Sequence, residues 1–537
     1  MKYSEYQSLD LSALSKEILS FWDENSIFEK SITTREGAQP FVFYEGPPSA
    51  NGMPGIHHVM ARTIKDIFCR YQTLKGKQVH RKAGWDTHGL PIELGVEKTL
   101  GITKEDIGKK ISIEDYNKAC RTEVMKYTDK WEDLTKKMGY WVDMQNPYIT
   151  YENTYIESVW WLLNDLYKKG LLYKGFTIQP FSPAAGTGLS SHELNQPGCY
   201  RDVKDRTAVA MFKLAANNSL PSALGNFAGK PVYFIAWTTT PWTLPSNTAL
   251  AVGGTIEYNA VTTHAPDNAG QEIIVVLAKE LTANFFTEPG AAAVKGKQQA
   301  IAISQPVKGS DLKGLRYEQL LPFVQPEGDA FQVIVGDFVT TQDGTGIVHI
   351  APSFGADDFA VAKQNGISAL TLVDRRGRFA AEVKDEVFLY GEEYVKEAYL
   401  TEAEKEASLA IQKEKLKGFI ADTSKLKYLS VDERIVLKLQ KEGKLFKKEI
   451  YEHSYPHCWR TDKPILYYPL DSWFIKVTSV KERMVALNQT INWKPESTGT
   501  GRFGNWLENA NDWNLSRSRF WGIPLPIWRS EDGTEEV

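Results

Sequence analysis

Cysteine is scarce in this chain of 537 residues: Cys69, Cys120, Cys199 and Cys458 stand far apart, and no two form a Cys-x-x-Cys pair. That spacing argues against a disulfide scaffold and against a zinc ribbon. Long apolar runs are missing as well, and the stretch Met1 to Phe28 mixes acids, bases and apolar residues without the charged-then-apolar order of a secretory signal. The expectation is a cytoplasmic protein with no membrane span. An excess of either charge is also lacking, since 63 basic and 67 acidic residues leave a net charge of -4. A global electrostatic footprint for nucleic acid is thereby excluded, although a local basic stripe is enough to engage phosphates. Internal repeats and extended low-complexity tracts do not occur.

What is present is the ordinary make-up of a globular protein, 42% hydrophobic and 24% charged. The length suffices for about two to four domains. The strand-like run Phe41-Val42-Phe43-Tyr44 leads into Gly46-Pro47-Pro48-Ser49-Ala50-Asn51-Gly52-Met53-Pro54-Gly55-Ile56-His57-His58. From there Ile56, Met60, Ile64, Ile67, Phe68, Tyr71 and Leu74 recur at helical spacing and stop at Gly76. Gln78-Val79-His80-Arg81-Lys82 reads as a second strand, followed by the turn Gly84 to Pro91. Strand, helix, strand and turn make a parallel βαβ unit, whose ligands bind beyond the carboxyl ends of the strands. Helices are expected around Ile113–Met138 and Thr154–Lys169. From about Thr207 to Ile350 short Val-, Ile-, Thr- and Phe-rich runs suggest an inserted β-rich module, and a charged helical connector over about Val395–Lys448 leads back out.

Unpaired backbone N–H groups at a helix start favour anionic phosphate, and imidazoles placed there can donate to phosphate oxygens as their charge grows. His57 and His58 are therefore candidates for that task, with helix capping or plain surface exposure as the alternative. A metal is the weaker reading, because adjacent helical residues point about 100° apart and no acid or histidine follows four residues on. Asp86, in Gly84-Trp85-Asp86-Thr87-His88-Gly89, suits a substrate ammonium group if it faces the same cleft, or serves only as a turn former. Trp237-Thr238-Thr239-Thr240-Pro241-Trp242-Thr243-Leu244-Pro245-Ser246-Asn247 clusters hydroxyls beside a rigid loop, unless it is simply a Thr-rich strand. His349 to Asp358 adds an imidazole and two acids after a strand. Thr238, Thr239, Thr240, His349 and Asp358 together can position a water and hold an amine. No Ser or Cys nucleophile has a clear base partner, so direct hydrolysis by ordered water is favoured over covalent catalysis. Ser516-Arg517-Ser518-Arg519 among tryptophans is either a nucleic-acid surface or an aromatic core with capping arginines.

In this order the blocks resemble the class I aminoacyl-tRNA synthetases, and within them the isoleucine-specific branch. The resemblance runs from about residue 15 to the end, and Gly84-Trp85-Asp86-Thr87-His88-Gly89-Leu90-Pro91-Ile92-Glu93 best separates that branch from its valine and leucine relatives. It implies an α/β protein whose Rossmann-like parallel-sheet catalytic domain is interrupted by a β-rich editing domain. The expected division is 1–200, with an N-terminal helix and the first catalytic part, 201–440 for the insert with its helical exit, and 441–537 for the return. It further implies activation of isoleucine with Mg-ATP, transfer to tRNA(Ile), hydrolysis of valyl-tRNA(Ile) in the insert, and a monomer. Gly46, Pro47 and Asp86 resemble the amino-acid pocket. Gly55, His57 and His58 occupy the ATP-contacting positions. Thr238, Thr239, Thr240, His349 and Asp358 resemble the editing pocket, with Asp358 on the amine. Rival readings are an editing-only or tRNA-binding protein that activates nothing, a valine or leucine relative, and a generic nucleotidyltransferase.

Three departures from the family pattern stand out. The family's His-x-Gly-His reads Gly55-Ile56-His57-His58, as though residues 55 and 57 had exchanged roles. Where relatives carry two zinc-binding Cys-x-x-Cys pairs, this chain has Ser182-Pro183-Ala184-Ala185 and Cys458-Trp459-Arg460-Thr461, so no structural zinc is expected. The Lys-Met-Ser-Lys-Ser loop occurs nowhere in these residues, which reads as the N-terminal portion of a longer synthetase.

Overall fold

The computed structural model describes residues 8–216, 218, 220–224, 229–389, 391–532, 534 and 536. The chain divides into two compact units. The first takes in the chain up to Tyr173, Phe474–Leu515 and Arg519 onward; the second takes in Lys174–Trp473 and Ser516–Ser518.

The first unit opens with α1 (Leu11–Glu24) and α2 (Ile27–Thr33). Its sheet consists of β1 (Pro40–Tyr44), β2 (Gln78–Trp85) and β3 (Asp143–Ile149), all parallel, with β2 in the middle. The β1–β2 crossover is α3 (Ile56–Leu74), and the βαβ expectation from sequence is met element for element. Between β2 and β3 lie α4 (Leu90–Leu100), α5 (Ile113–Val124) and α6 (Thr128–Lys137); α7 (Asn153–Lys168) follows β3. The single helix expected over 113–138 is broken between α5 and α6, where the Tyr127 N–H leaves the helical ladder and donates to Ala50 O at 2.9 Å. α4 starts directly after Gly89, whose φ of 116° is open only to glycine.

An amphipathic helix ordinarily turns its apolar stripe to the core. α3 does the opposite: Ile56, Met60, Ile64, Ile67, Tyr71 and Leu74 are exposed, while Arg62, Asp66, Cys69 and Thr73 are buried. The buried polar side chains Asp66, Arg62 and Thr73 are paired. Asp66 accepts from Arg70 Nε at 2.6 Å and meets Arg81 at 3.4 Å, and Arg81 donates to Thr73 Oγ1 at 2.8 Å. Arg62 donates to Thr135 Oγ1 at 2.8 Å and lies 5.0 Å over the Trp131 ring. Hydrogen-bonded charge pairs therefore seat α3 on its neighbours.

The second unit is β-rich. Its larger sheet runs in the order Ala302–Ile303, Glu257–Ala265, Asn268–Ala278, Val232–Thr238, Tyr200–Lys213 and Leu445–Pro456, with Val307–Lys308 also beside Glu257–Ala265. A smaller sheet holds Ala249–Val252 between Gln332–Val335 and Ile347–Ile350. Phe212, Phe234, Leu250, Tyr258, Ile274 and Val276 belong to one buried cluster of this unit. The connector expected over 395–448 is two capped helices, Glu402–Lys415 and Val431–Lys441, and from Leu445 the chain is already strand. Among the described residues no helix is long and apolar enough to cross a membrane.

Candidate functional site

In the first unit, β1 ends at Tyr44 and the Gly46–Gly55 turn carries the chain to the start of α3. The Asp86 N–H donates to Pro48 O at 3.0 Å, so the turn after β2 is tied to the turn after β1. A cavity of about 390 Å³ is lined by Gly46, Pro47, Pro48, His58, Arg62 and Lys65 among others. Gly46, Pro47 and His58 are thus brought together; Gly55, His57 and Asp86 lie outside that lining. Asp86 is open to solvent, and the walls around it raise its carboxyl above the ordinary value. Arg62 and Lys65 were not foreseen, although their spacing of four and seven residues from His58 puts all three on one helix face. Glu45, also in the lining, holds Lys65 at 2.5 Å and accepts from the Tyr140 hydroxyl.

The helix start has a defined donor pattern. His58 Nδ1 accepts the Gly55 N–H at 2.9 Å, which leaves the neutral ring's hydrogen on Nε2. Burial, followed by the neighbouring His57 and Arg62, lowers its pKa, so the ring is a neutral donor at pH 7. The His57 ring lies 3.8 Å from the His58 ring, centroid to centroid. A Cβ on residue 55 would sit 2.9 Å from His57 Cε1 and 3.0 Å from its Nδ1. The His57 imidazole fills the space that a side chain at 55 would enter.

The second unit holds a second cavity, also about 390 Å³, lined by Thr238, Thr239, Thr240, Thr243, His349, Ala351, Gly355 and Asp358 among others. All five residues singled out in sequence for this site meet in one lining. Thr238 ends a strand of the larger sheet, His349 sits in the smaller sheet, and Asp358 is in the first turn of the helix Ala356–Gln364. His349 is fully engaged: Nε2 is 2.8 Å from Thr243 Oγ1, which donates to Thr240 O at 2.8 Å, and Nδ1 is 3.4 Å from Asn247 Nδ2. Asn247 Oδ1 in turn accepts from the Tyr317 hydroxyl at 2.7 Å. These donors fix His349 as the Nε2–H tautomer, and burial lowers its pKa to about 4. It is a neutral strut. Thr243 and Asn247 lay in the quoted Thr-rich motif, whereas Tyr317 carried no local signal. Asp358 accepts the Ala351 N–H at 2.8 Å, and burial raises its carboxyl to about 6.

The residues at the zinc-pair positions do not fit a zinc ion. Ser182 Oγ accepts the Ala185 N–H at 3.2 Å, and of Ser182, Ala185, Cys458 and Thr461 only Cys458 offers a thiol. Among the described residues no three His, Cys, Asp or Glu side chains converge on a metal position. Of the two arginines near 518, Arg517 is exposed, whereas Arg519 is buried against α4. Its Nε donates to Glu93 at 2.8 Å and a second nitrogen reaches Glu97, so Arg519 belongs to the core.

The family model for tRNA synthetases class I (I, L, M and V) matches residues 17–537. The chain belongs to this family. Among curated relatives it is 62% identical over its whole length to the isoleucine–tRNA ligase of Cytophaga hutchinsonii, covering 48% of that protein. It is 60% identical to that of Bacteroides fragilis, covering all of this chain and 47% of the relative. It is 43% identical to that of Clostridium tetani, covering 97% of this chain and 44% of the relative. The chain spans about half the length of the curated relatives it matches.

Proposed function

We propose that this chain supplies the amino-acid-activating cleft and the hydrolytic module of an isoleucine–tRNA ligase, which forms isoleucyl-adenylate from isoleucine and Mg-ATP and charges tRNA(Ile). The observation that carries the reading is the convergence of Thr238, Thr239, Thr240, His349 and Asp358 on one cavity, in a chain of this family whose relatives are isoleucine–tRNA ligases. Such a cavity has a physical motive. One methylene in an apolar pocket discriminates by only about 1–3 kcal/mol, a limit for which this family's choice of isoleucine over valine is the standard illustration. A second, smaller site removes the errors. Asp358 takes the ammonium group of the valyl ester, and the threonine hydroxyls flank the ester and its attacking water. In the first unit Asp86 takes the isoleucine ammonium group beside Gly46 and Pro47. His58 donates Nε2–H to phosphate, Gly55 leaves room at the helix start, and His57 acts from the vacated position 55. The protein works as a cytoplasmic monomer.

The chain is expected to deacylate valyl-tRNA(Ile) and to spare isoleucyl-tRNA(Ile). Equal hydrolysis of both, or of neither, overturns the hydrolytic reading. Isoleucine is expected to stimulate ATP–pyrophosphate exchange more than valine; a stronger response to leucine defeats the assignment. Because these residues contain no Lys-Met-Ser-Lys-Ser loop, exchange by the chain alone is expected to be weak.

The exchange at the helix start gives its own prediction. Gly55→His drives a side chain into the His57 ring and lowers ATP affinity about tenfold or more. Adding His57→Gly clears the space and restores affinity. Titration calorimetry with Mg-ATP checks this, and a double variant no better than Gly55→His shows that the two positions are not interchangeable.

A further inference from the structure

Asp432 stands on the exit helix Val431–Lys441, 190 residues along the chain from the Thr-rich turn, yet it is only 6% exposed. Its Oδ1 accepts the Trp242 N–H at 2.8 Å. That is the first donor the Pro241–Ser246 turn offers, since Pro241 has none. Its Oδ2 lies 4.0 Å from Lys396 Nζ. Lys396 also donates to Asp205 Oδ2 at 3.3 Å and sits 4.8 Å over the Tyr455 ring. Asp205 is in turn 3.2 Å from His453 Nε2, and the neighbouring Glu433 faces Arg206 at 3.8 Å. The carboxylate thus has a cation at 4.0 Å on one side and holds a turn on the other.

That turn is part of the cavity wall. The Trp242 ring packs edge-on against Phe354, a lining residue, at 5.1 Å between centroids. The next residue, Thr243, joins Thr240 O to His349 Nε2. We propose that Asp432, with Lys396 beside it, is a positioning residue for the hydrolytic cavity, setting the Pro241–Ser246 turn and, through Thr243, the His349 ring. The inference rests on the hydrolytic reading above. Its physical basis is the placement of a buried acceptor on a backbone donor one residue away from Thr243. Burial raises the Asp432 carboxyl to about 7, and in either protonation state an oxygen remains to accept the Trp242 N–H.

With valyl-tRNA(Ile), Asp432→Ala is expected to lower kcat for deacylation about tenfold with KM within about twofold, the loss of one buried hydrogen bond to a charged group. Asp432→Asn, whose amide oxygen still accepts the N–H, returns kcat to within about threefold of the parent. Asp432→Ala combined with Thr243→Ala is no worse than the poorer single variant, because both act on one path. Equal losses in the Ala and Asn variants, or additive losses in the double variant, overturn the proposal. Lys396→Met keeps the acceptor and removes the cation beside it, so a partial loss is expected and full activity overturns the proposal. Hydrogen exchange at the Trp242 amide reads the anchor without substrate. Protection lost in Asp432→Ala and kept in Asp432→Asn is expected even if the parent chain hydrolyses nothing, an outcome that would count against the hydrolytic reading alone. Unchanged protection in Asp432→Ala overturns the anchor itself.

Discussion

Asp358→Asn is expected to make the second unit more stable at pH 7.5 while removing most of the proposed hydrolytic activity. The carboxyl is buried and its pKa is raised from 3.8 to about 6, so its ionised form is disfavoured in the fold. The sign follows from that direction: the neutral form fits the folded state better, so stability declines as pH rises through the interval from about 4 to about 6. Above that interval the cost is on the order of 3 kcal/mol. Asparagine keeps an oxygen for the Ala351 N–H and carries no charge. The melting temperature of the second unit should rise by a few degrees at pH 7.5, and the gain should shrink toward pH 4. The activity should fall about 10- to 100-fold, the loss of a charge-assisted contact to the substrate ammonium group. For the parent, deacylation efficiency should drop about tenfold per pH unit below about 6, as the carboxylate is protonated. Full activity in Asp358→Asn removes the ammonium contact from the mechanism, and an unchanged melting profile removes the buried charge.

Glu93→Ala is the larger effect on stability, and it falls on the first unit. Glu93 is 1% exposed and accepts three hydrogen bonds from one short segment: Arg519 Nε at 2.8 Å, Phe520 N at 3.2 Å and Trp521 N at 3.0 Å. Trp521 then donates from its indole to Thr87 O at 2.6 Å, next to Asp86. Truncation leaves two backbone donors without this carboxylate and the buried guanidinium short of one of its two acids. Breaking a buried pair in this way costs about 3–5 kcal/mol. Urea unfolding should move the first unit's transition to lower denaturant and leave the second unit's in place. A change under about 1 kcal/mol would mean that the segment is held by packing instead. On the proposed function, isoleucine affinity should fall together with stability, since the same segment backs the Asp86 turn.

The legible parts of this chain were those encoded locally. Hydrophobic spacing and Gly76 delimit α3 to the residue, and the order of strand, helix and strand gives the parallel pairing of β1 with β2. Spacing did not show which face of α3 is buried. That is decided by Asp66, Arg81, Arg62 and Thr135, whose pairing depends on contacts up to 73 residues apart. The Thr-rich block and the His349–Asp358 block were visible because each is contiguous, and sheet pairing of Ile350 with Ala249 brings the two blocks together. Tyr317 and Asp432 were invisible because each reaches the Thr-rich block through one long-range hydrogen bond and lies in a stretch with no site-like pattern of its own. Arg519 had two readings from composition alone, and only the carboxylates of α4 distinguish them.

The staple between Glu93 and Arg519 joins residues 426 apart. At ribosomal rates of about 5–20 residues per second, on the order of 20–90 s separate the emergence of the two partners. All of the contiguous stretch Lys174–Trp473 is synthesised within that interval, with a core of its own. The second unit can therefore fold on the ribosome before Arg519 emerges, with Glu93 still without that partner. The Arg519–Trp521 segment is the last of these partners to emerge and dock on Glu93 of α4.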